Sequence, residues 1–144
     1  MSKILALDIG SKRVGWAVSD VEQTMAFPRE TFPWKNKAAF LKLIRTIVQE
    51  EKIGMIVLGL PLDEDNKATE WSEKIQSLGM ALSGITELPV HFVDEFGTSR
   101  EAQSKIPFRK DRRKKGGDDS LAAQIILERY LVAGAGFEPA TSRL

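Results

Sequence analysis

The sequence predicts an α/β fold: a mixed five-stranded sheet, an antiparallel meander followed by parallel βαβ strands, flanked by helices. Three observations point there. Residues 4–7 and 55–60 are short continuous apolar runs, the pattern of strands buried on both faces. Val14, Trp16 and Val18 alternate with Gly15, Ala17 and Ser19 just after a glycine-marked turn, which predicts a strand running back beside the first. Helical periods then separate the later strands, and strand–helix–strand order builds parallel pairs covered by helices.

Each element has a local reason. Gly10 and Ser11 supply turn chemistry between the first two strands, with Gly10 expected to permit a positive φ. Residues 25–34 carry Phe27, Phe32, Pro28 and Pro33, which suits an edge strand, because proline is not tolerated in a sheet centre. Residues 37–51 place Phe40, Leu41, Ile44, Ile47 and Val48 at helical spacing, and Gly54 then breaks the pattern. The strand at 55–60 is closed by Pro61. Residues 66–83 are helical again, with Trp71, Ile75, Leu78 and Leu82 on one face. Gly79 within that helix costs about 1 kcal/mol relative to alanine. Residues 89–93 form a short strand ending at Asp94 and Glu95. Residues 97–104 read as a short helix and 106–117 as a basic loop. Residues 118–132 form a strong helix, with Leu121, Ala122, Ile125, Ile126 and Leu127 on its core face and an aspartate at its start to cap it. The domain is expected over residues 1–132. Residues 133–144, glycine- and proline-bearing with no helical period, read as a disordered extension.

Composition narrows the function. The chain has 144 residues, the size of one domain with one core. Its net charge of +1 gives no whole-molecule case for a polyanionic partner, so any such case rests on local clustering. The absence of cysteine excludes disulfides, thiolate zinc sites and thiol nucleophiles. No apolar run reaches the length of a transmembrane helix, about 18 residues or more. The N-terminus enters a strand at once, without a signal-peptide pattern, so a cytoplasmic location is expected.

Acidic residues collect where α/β sheets build their sites, at the C-terminal ends of strands. Asp8 is near the end of the first strand, Asp94 and Glu95 end the last, and Asp118 and Asp119 open the final helix. Singly, each has a structural explanation: a turn cap, a solvated loop, a helix cap aided by the dipole. Together they form a candidate hard-cation site. Carboxylate oxygens suit Mg²⁺ or Mn²⁺, and a single histidine with no cysteine suits nothing softer. Two such ions can activate a water and stabilise the leaving oxygen of a phosphodiester. Between the candidate ligands lies KIPFRKDRRKK, with Lys105, Arg109, Lys110, Arg112, Arg113, Lys114 and Lys115 against one Asp111. A basic run beside an acidic metal site fits a substrate whose phosphates extend on both sides of the one attacked.

Four blocks also carry a resemblance over nearly the whole chain, up to about Val132. They are LALDIGSKRVGWAVSD, IVLGLPLDEDNKATE, VHFVDEFGTSREA and DDSLAAQIILERYL. In order and spacing they resemble the YqgF family, also called RuvX. Its members have an RNase H-like fold and are described as Holliday junction resolvases and as nucleases that mature the 5′ end of pre-16S rRNA. The resemblance implies an RNase H-like domain whose three catalytic, metal-holding residues are Asp8, Glu95 and Asp119. Asp119 matches because it stands three residues before Ala122 and Ala123; Asp118 is its reserve. The family usually has arginine after the Asp–Glu pair, where this chain has Phe96, and so one phosphate contact is lost.

The implied activity is metal-dependent hydrolysis of phosphodiester bonds in structured nucleic acid. Lys12 and Arg13 of the hairpin turn and the basic loop would hold flanking phosphates. Pre-rRNA and branched, four-way DNA both fit these residues, and the resemblance puts the rRNA role first. Junction resolution would require a homodimer presenting two sites, which the sequence does not show. Two other classes stand beside it. A nucleic-acid-binding module with little or no catalysis is favoured by the loss of the family arginine. A phosphotransferase would share the Asp-x-Gly hairpin of actin-like and sugar-kinase folds, but those need two large lobes. His91, within a strand, reads as structural, and Trp16 and Trp71 as core residues. Trp34 stands at an edge beside a proline, its role open. Thr98 and Ser99 read as caps more readily than as phosphate contacts.

Overall fold

Side-chain alternation along the first strand divides this molecule into two packed layers. A computed structural model of the chain describes residues 2–62, 65, 67–94 and 117–136, with backbone alone for residues 117–120 and 133–136. Among the described residues the elements are β1 (Lys3–Ile9), β2 (Arg13–Ser19), β3 (Ala26–Pro33), α1 (Lys37–Glu51), β4 (Ile53–Leu60), α2 (Glu70–Thr86), β5 (Val90–Asp94) and α3 (Gly117–Gly136). The five strands form one sheet in the order β3-β2-β1-β4-β5. β2 pairs antiparallel with β1 and with β3, whereas β4 is parallel to β1 and to β5. The expected mixed sheet is the one found, and β1 is its central strand.

Leu5, Leu7 and Ile9 point to one face, where they meet Val14 and Val18 of β2, Phe40, Ile44 and Ile47 of α1, and Ile75, Leu78 and Leu82 of α2. Ile4 and Ala6 point to the other, with Ala17, Val57 and the α3 residues Ala123, Ile126 and Leu127. Period-2 alternation in a strand buried on both sides produces this division, which explains why residues 4–7 read as one unbroken apolar run. Ala6, Ala17 and Ala123 sit in this layer beside the larger Ile4, Val57, Ile126 and Leu127, and the small side chains let the helix approach the sheet at those points.

The helices are closed by local chemistry. Asn36 caps α1 by accepting the Ala39 amide at 2.8 Å. At its other end Lys52, with φ 58°, donates its amide to the Val48 carbonyl. That residue, rather than Gly54, ends the helix; Gly54 lies inside β4, against the Ser2 side chain. α2 begins later than its apolar period alone predicts. Thr69 and Ser72 form a reciprocal capping box, Thr69 Oγ1 accepting the Ser72 amide at 3.0 Å and Ser72 Oγ accepting the Thr69 amide at 2.7 Å. Gly79 has a packing reason: a Cβ there would lie 2.7 Å from Phe92 Cζ and 3.0 Å from Leu58 Cδ1, so its absence lets α2 seat on β4 and β5.

β3 is an edge strand, as its prolines require, with Pro28 opposite Ala17 and Pro33 opposite Arg13. The loop into it is organised by Asp20. Its carboxylate accepts the Thr24 amide and hydroxyl, each at 2.8 Å, and the Met25 amide at 3.1 Å. These bonds, the Thr24 amide foremost, hold the Asp20 pKa below its ordinary value. α3 starts at Gly117, so Asp118 and Asp119 occupy its first turn rather than the cap position before it. It runs on to Gly136, past Val132, where the sequence pattern predicts the end of the helix. Residues 97–104, expected as a short helix, and residues 137–144 of the expected extension lie outside the described residues.

Candidate active site at the end of the central strand

Asp8 is the penultimate residue of β1 and is half-buried. It shares strand parity with Ile4 and Ala6, so it belongs to the α3 face of the sheet. Directly across the β1–β2 ladder stands Gly15, so no side chain of β2 flanks the carboxylate at that position. Pairing with β2 therefore fixes the backbone of Asp8, and Leu7 just before it is paired on both sides, with Trp16 of β2 and Leu58 of β4.

The turn beyond it is tight. The Gly10 amide donates to the Arg13 carbonyl at 2.8 Å. Glycine is required here for space rather than for a positive φ: a Cβ would lie 2.9 Å from that same carbonyl oxygen, and the φ of Gly10 is outside the left-handed region. The turn presents Ser11, Lys12 and Arg13 as exposed residues. Arg13 has the parity of Gly15 and Ala17 and so shares the face of Asp8. The Lys12 carbonyl accepts the Trp34 amide at 2.9 Å, which ties the turn to the segment entering α1.

Of the acidic pair at the end of β5, Asp94 is exposed and has the parity of Phe92, which packs on the α1–α2 side. It therefore lies on the opposite face from Asp8, and its main-chain carbonyl accepts Arg129 Nη1 at 2.8 Å. Glu95, Phe96, Thr98 and Ser99 lie outside the described residues, as do Arg109, Lys110, Arg112, Arg113, Lys114 and Lys115. Asp119 is in the first turn of α3, four residues before Ala123, a spacing of about one helical turn. Ala123 packs on the same face as Ile4 and Ala6. Among the described residues no cluster of three His, Cys, Asp or Glu side chains gathers to hold a metal.

His91 is buried in β5, paired with Val57 of β4 and with its ring 5.5 Å from that of Tyr130. Burial lowers its pKa, so it is a neutral packing residue, as expected for a histidine inside a strand. Trp16 and Trp71 are packed against the α1–α2 core cluster, also as expected, and Trp34 joins them there. No described helix is long and apolar enough to cross a membrane.

The family model described as "RuvX: Holliday junction resolvase" matches residues 2–133. The chain belongs to the RuvX family. A protein of Maridesulfovibrio salexigens named "Putative pre-16S rRNA nuclease" is 37% identical over 131 residues, covering 90% of this chain and 97% of its own. A Koribacter versatilis protein of the same name is also 37% identical over 131 residues, covering 90% of this chain and 86% of its own. The fold of this RuvX chain is similar to Thermus thermophilus RuvC solved with a Holliday junction substrate, with TM-score 0.59 and 11% identity over 94% of this chain and 97% of that one. It is also similar to the yeast mitochondrial Holliday junction resolvase, with TM-score 0.57 and 13% identity over 93% of this chain and 79% of that one. At these identities the likeness is one of fold, the RNase H-like arrangement that the four sequence blocks imply.

Proposed function

We propose that this RuvX chain is a divalent-metal-dependent nuclease that hydrolyses phosphodiester bonds in structured nucleic acid, and that it acts in 5′-end processing of pre-16S rRNA. The position of Asp8 carries the reading. The end of a parallel strand is where α/β sheets gather their sites, and a half-buried carboxylate held there by the sheet is placed to serve as an oxygen ligand. Here it stands on the α3 face of the sheet, which Arg13 shares by strand parity, and the chain has relatives named as rRNA nucleases.

The donor chemistry fits a hard cation. The candidate set of Asp8, Glu95 and Asp119 offers only oxygen ligands, the protein has no cysteine, and its one histidine is a buried packing residue. Bound Mg²⁺ or Mn²⁺ would supply an activated water and charge stabilisation at the leaving oxygen. The chain's own contribution is positional. β1 holds Asp8 rigidly, Lys12 and Arg13 grip the phosphates next to the one attacked, and Arg109, Lys110, Arg112, Arg113, Lys114 and Lys115 extend that grip.

A second reading is resolution of four-way DNA junctions, favoured by the family description and by the resolvase-like fold. It requires a homodimer presenting two sites. Incubating purified protein with labelled pre-rRNA leader and four-way junction, with and without Mn²⁺, separates the readings. Metal-dependent cuts confined to the leader support the first, symmetric cuts in the junction support the second, and salt-sensitive binding without cuts in either leaves only a binding module.

A further inference from the structure

On the far side of the hairpin turn from Asp8 lies a cleft of about 420 Å³. Its lining includes Ser11 of the turn, Trp34 and Lys37 at the entry to α1, and Trp71, Lys74 and Ser77 of α2. Cavities of roughly 300–1,000 Å³ are the size that holds small organic groups. Both tryptophans are half-buried: each packs on the core and offers its remaining surface to the cleft. Lys74 Nζ stands 6.0 Å from the centroid of the Trp71 ring, and the Trp34 ring is held by Phe40 at a centroid distance of 5.1 Å.

We propose that this cleft receives an unpaired nucleobase of the substrate strand, stacked on Trp71, with Lys37 and Lys74 meeting the phosphates on either side. The inference rests on the nuclease reading and adds a substrate requirement to it: a single-stranded nucleotide beside the reacting phosphate. Three features support a base over an unspecific apolar group. Flat aromatic surfaces with lysines around them are what single-strand sites use, because every base has a π-face and every nucleotide a charge. Ser11 and Ser77 supply hydroxyls for a base edge. The cleft is also adjacent to the site, since Ser11 is three residues from Asp8, at most about 11 Å of chain. A strand crossing the turn past Lys12 and Arg13 thus meets Asp8 on one face of the sheet and the cleft on the other. A base held in a duplex cannot enter it.

The test is metal-free, so it is independent of cleavage. Binding of a labelled eight-nucleotide single-stranded RNA is measured by anisotropy in EDTA, with an abasic nucleotide placed at each position in turn. Stacking of one base is worth roughly 1–3 kcal/mol, so about a tenfold loss is expected at one or two positions. Trp71→Leu should show the same loss with the intact strand and none further with the abasic one. Trp71→Phe, which keeps an aromatic face, should bind within about threefold of the wild type, and a blunt duplex should not sense either change. Should Trp71→Leu fail to fold, the abasic scan on the wild-type chain and Lys74→Glu, which reverses a rim charge, still decide. Equal affinity for intact and abasic strands at every position overturns the proposal. A free mononucleotide that binds as tightly as the strand overturns it too. Loss of Mn²⁺-dependent cleavage alone would strike the nuclease reading and leave the binding result standing.

Discussion

The main-chain amide of Trp34 donates to the carbonyl oxygen of Lys12 at 2.9 Å. One hydrogen bond thus joins the tip of the hairpin that follows Asp8 to the segment that opens α1. The turn is braced a second time by the Gly10–Arg13 bond at 2.8 Å. Together they make the end of β1 a rigid ridge with a carboxylate on one side and an aromatic cleft on the other.

Removing the charge of Asp8 tests the centre of that arrangement. Asp8→Asn keeps the shape and loses the anion. Single-turnover cleavage with Mn²⁺ should fall on the order of a hundredfold or more, while affinity measured in EDTA stays within about threefold. A variant that cuts at the wild-type rate removes Asp8 from the mechanism.

The turn itself tolerates no side chain at Gly10. Gly10→Ala would set a Cβ 2.9 Å from the Arg13 carbonyl oxygen. A stability loss of about 1–3 kcal/mol is expected from urea unfolding. Cleavage should drop further than the folded fraction accounts for, because Asp8 and the turn cations would shift with the ridge.

Two glycines of α2 should respond in opposite directions. Gly84 is exposed, and a Cβ there meets nothing within 4 Å, so Gly84→Ala should stabilise the protein by about 0.8–1 kcal/mol through helix propensity. Gly79→Ala gains the same propensity but drives a methyl to 2.7 Å from Phe92 Cζ. With overpacking costing about 1–3 kcal/mol, its net effect should be a loss of about 1 kcal/mol. Paired denaturation curves give the two signs directly.

Ser19 is a buried hydroxyl that holds two parts of the backbone. It accepts the Ile4 amide at 2.8 Å and donates to the Asp20 carbonyl at 2.9 Å. Ser19→Ala leaves the Ile4 amide without that partner at the start of β1, and a loss of about 1–3 kcal/mol is expected in urea midpoints.

Stability should rise with pH in two separate windows. Burial depresses the His91 pKa from the ordinary 6.5, so the unfolded chain binds the proton more readily. Its contribution is complete above about 6.5 and is lost as pH falls to the lowered folded value. Asp20 acts lower down: its contribution is present above the ordinary 3.8 and is lost as pH falls through its depressed folded pKa. His91 is the only histidine, so its ring signals in an NMR titration report the first window without overlap. A folded-state midpoint at or above 6.5 would contradict the burial argument.

What the sequence by itself determined is what neighbouring residues encode. A continuous apolar run marked β1, period-2 alternation marked β2, helical periodicity marked the span of α1, Lys37–Glu51, and the two prolines put β3 at an edge. The four blocks carried the family, and Asp8 could be singled out because an acid at the end of an apolar run is locally conspicuous. Tertiary structure decided the rest, because it depends on sheet order and strand parity. Parity separates Asp94 from Asp8 and puts Arg13 on the same face as Asp8. Gly79 looked like a helix defect until Phe92 of β5 gave it a reason. Gly10 answers to the Arg13 carbonyl rather than to a positive φ. Trp34 and Trp71, distant along the chain, line one cleft only because α1 and α2 pack on the same face of the sheet. A local pattern says that a residue is buried or exposed; only the packing of elements distant in sequence says against what.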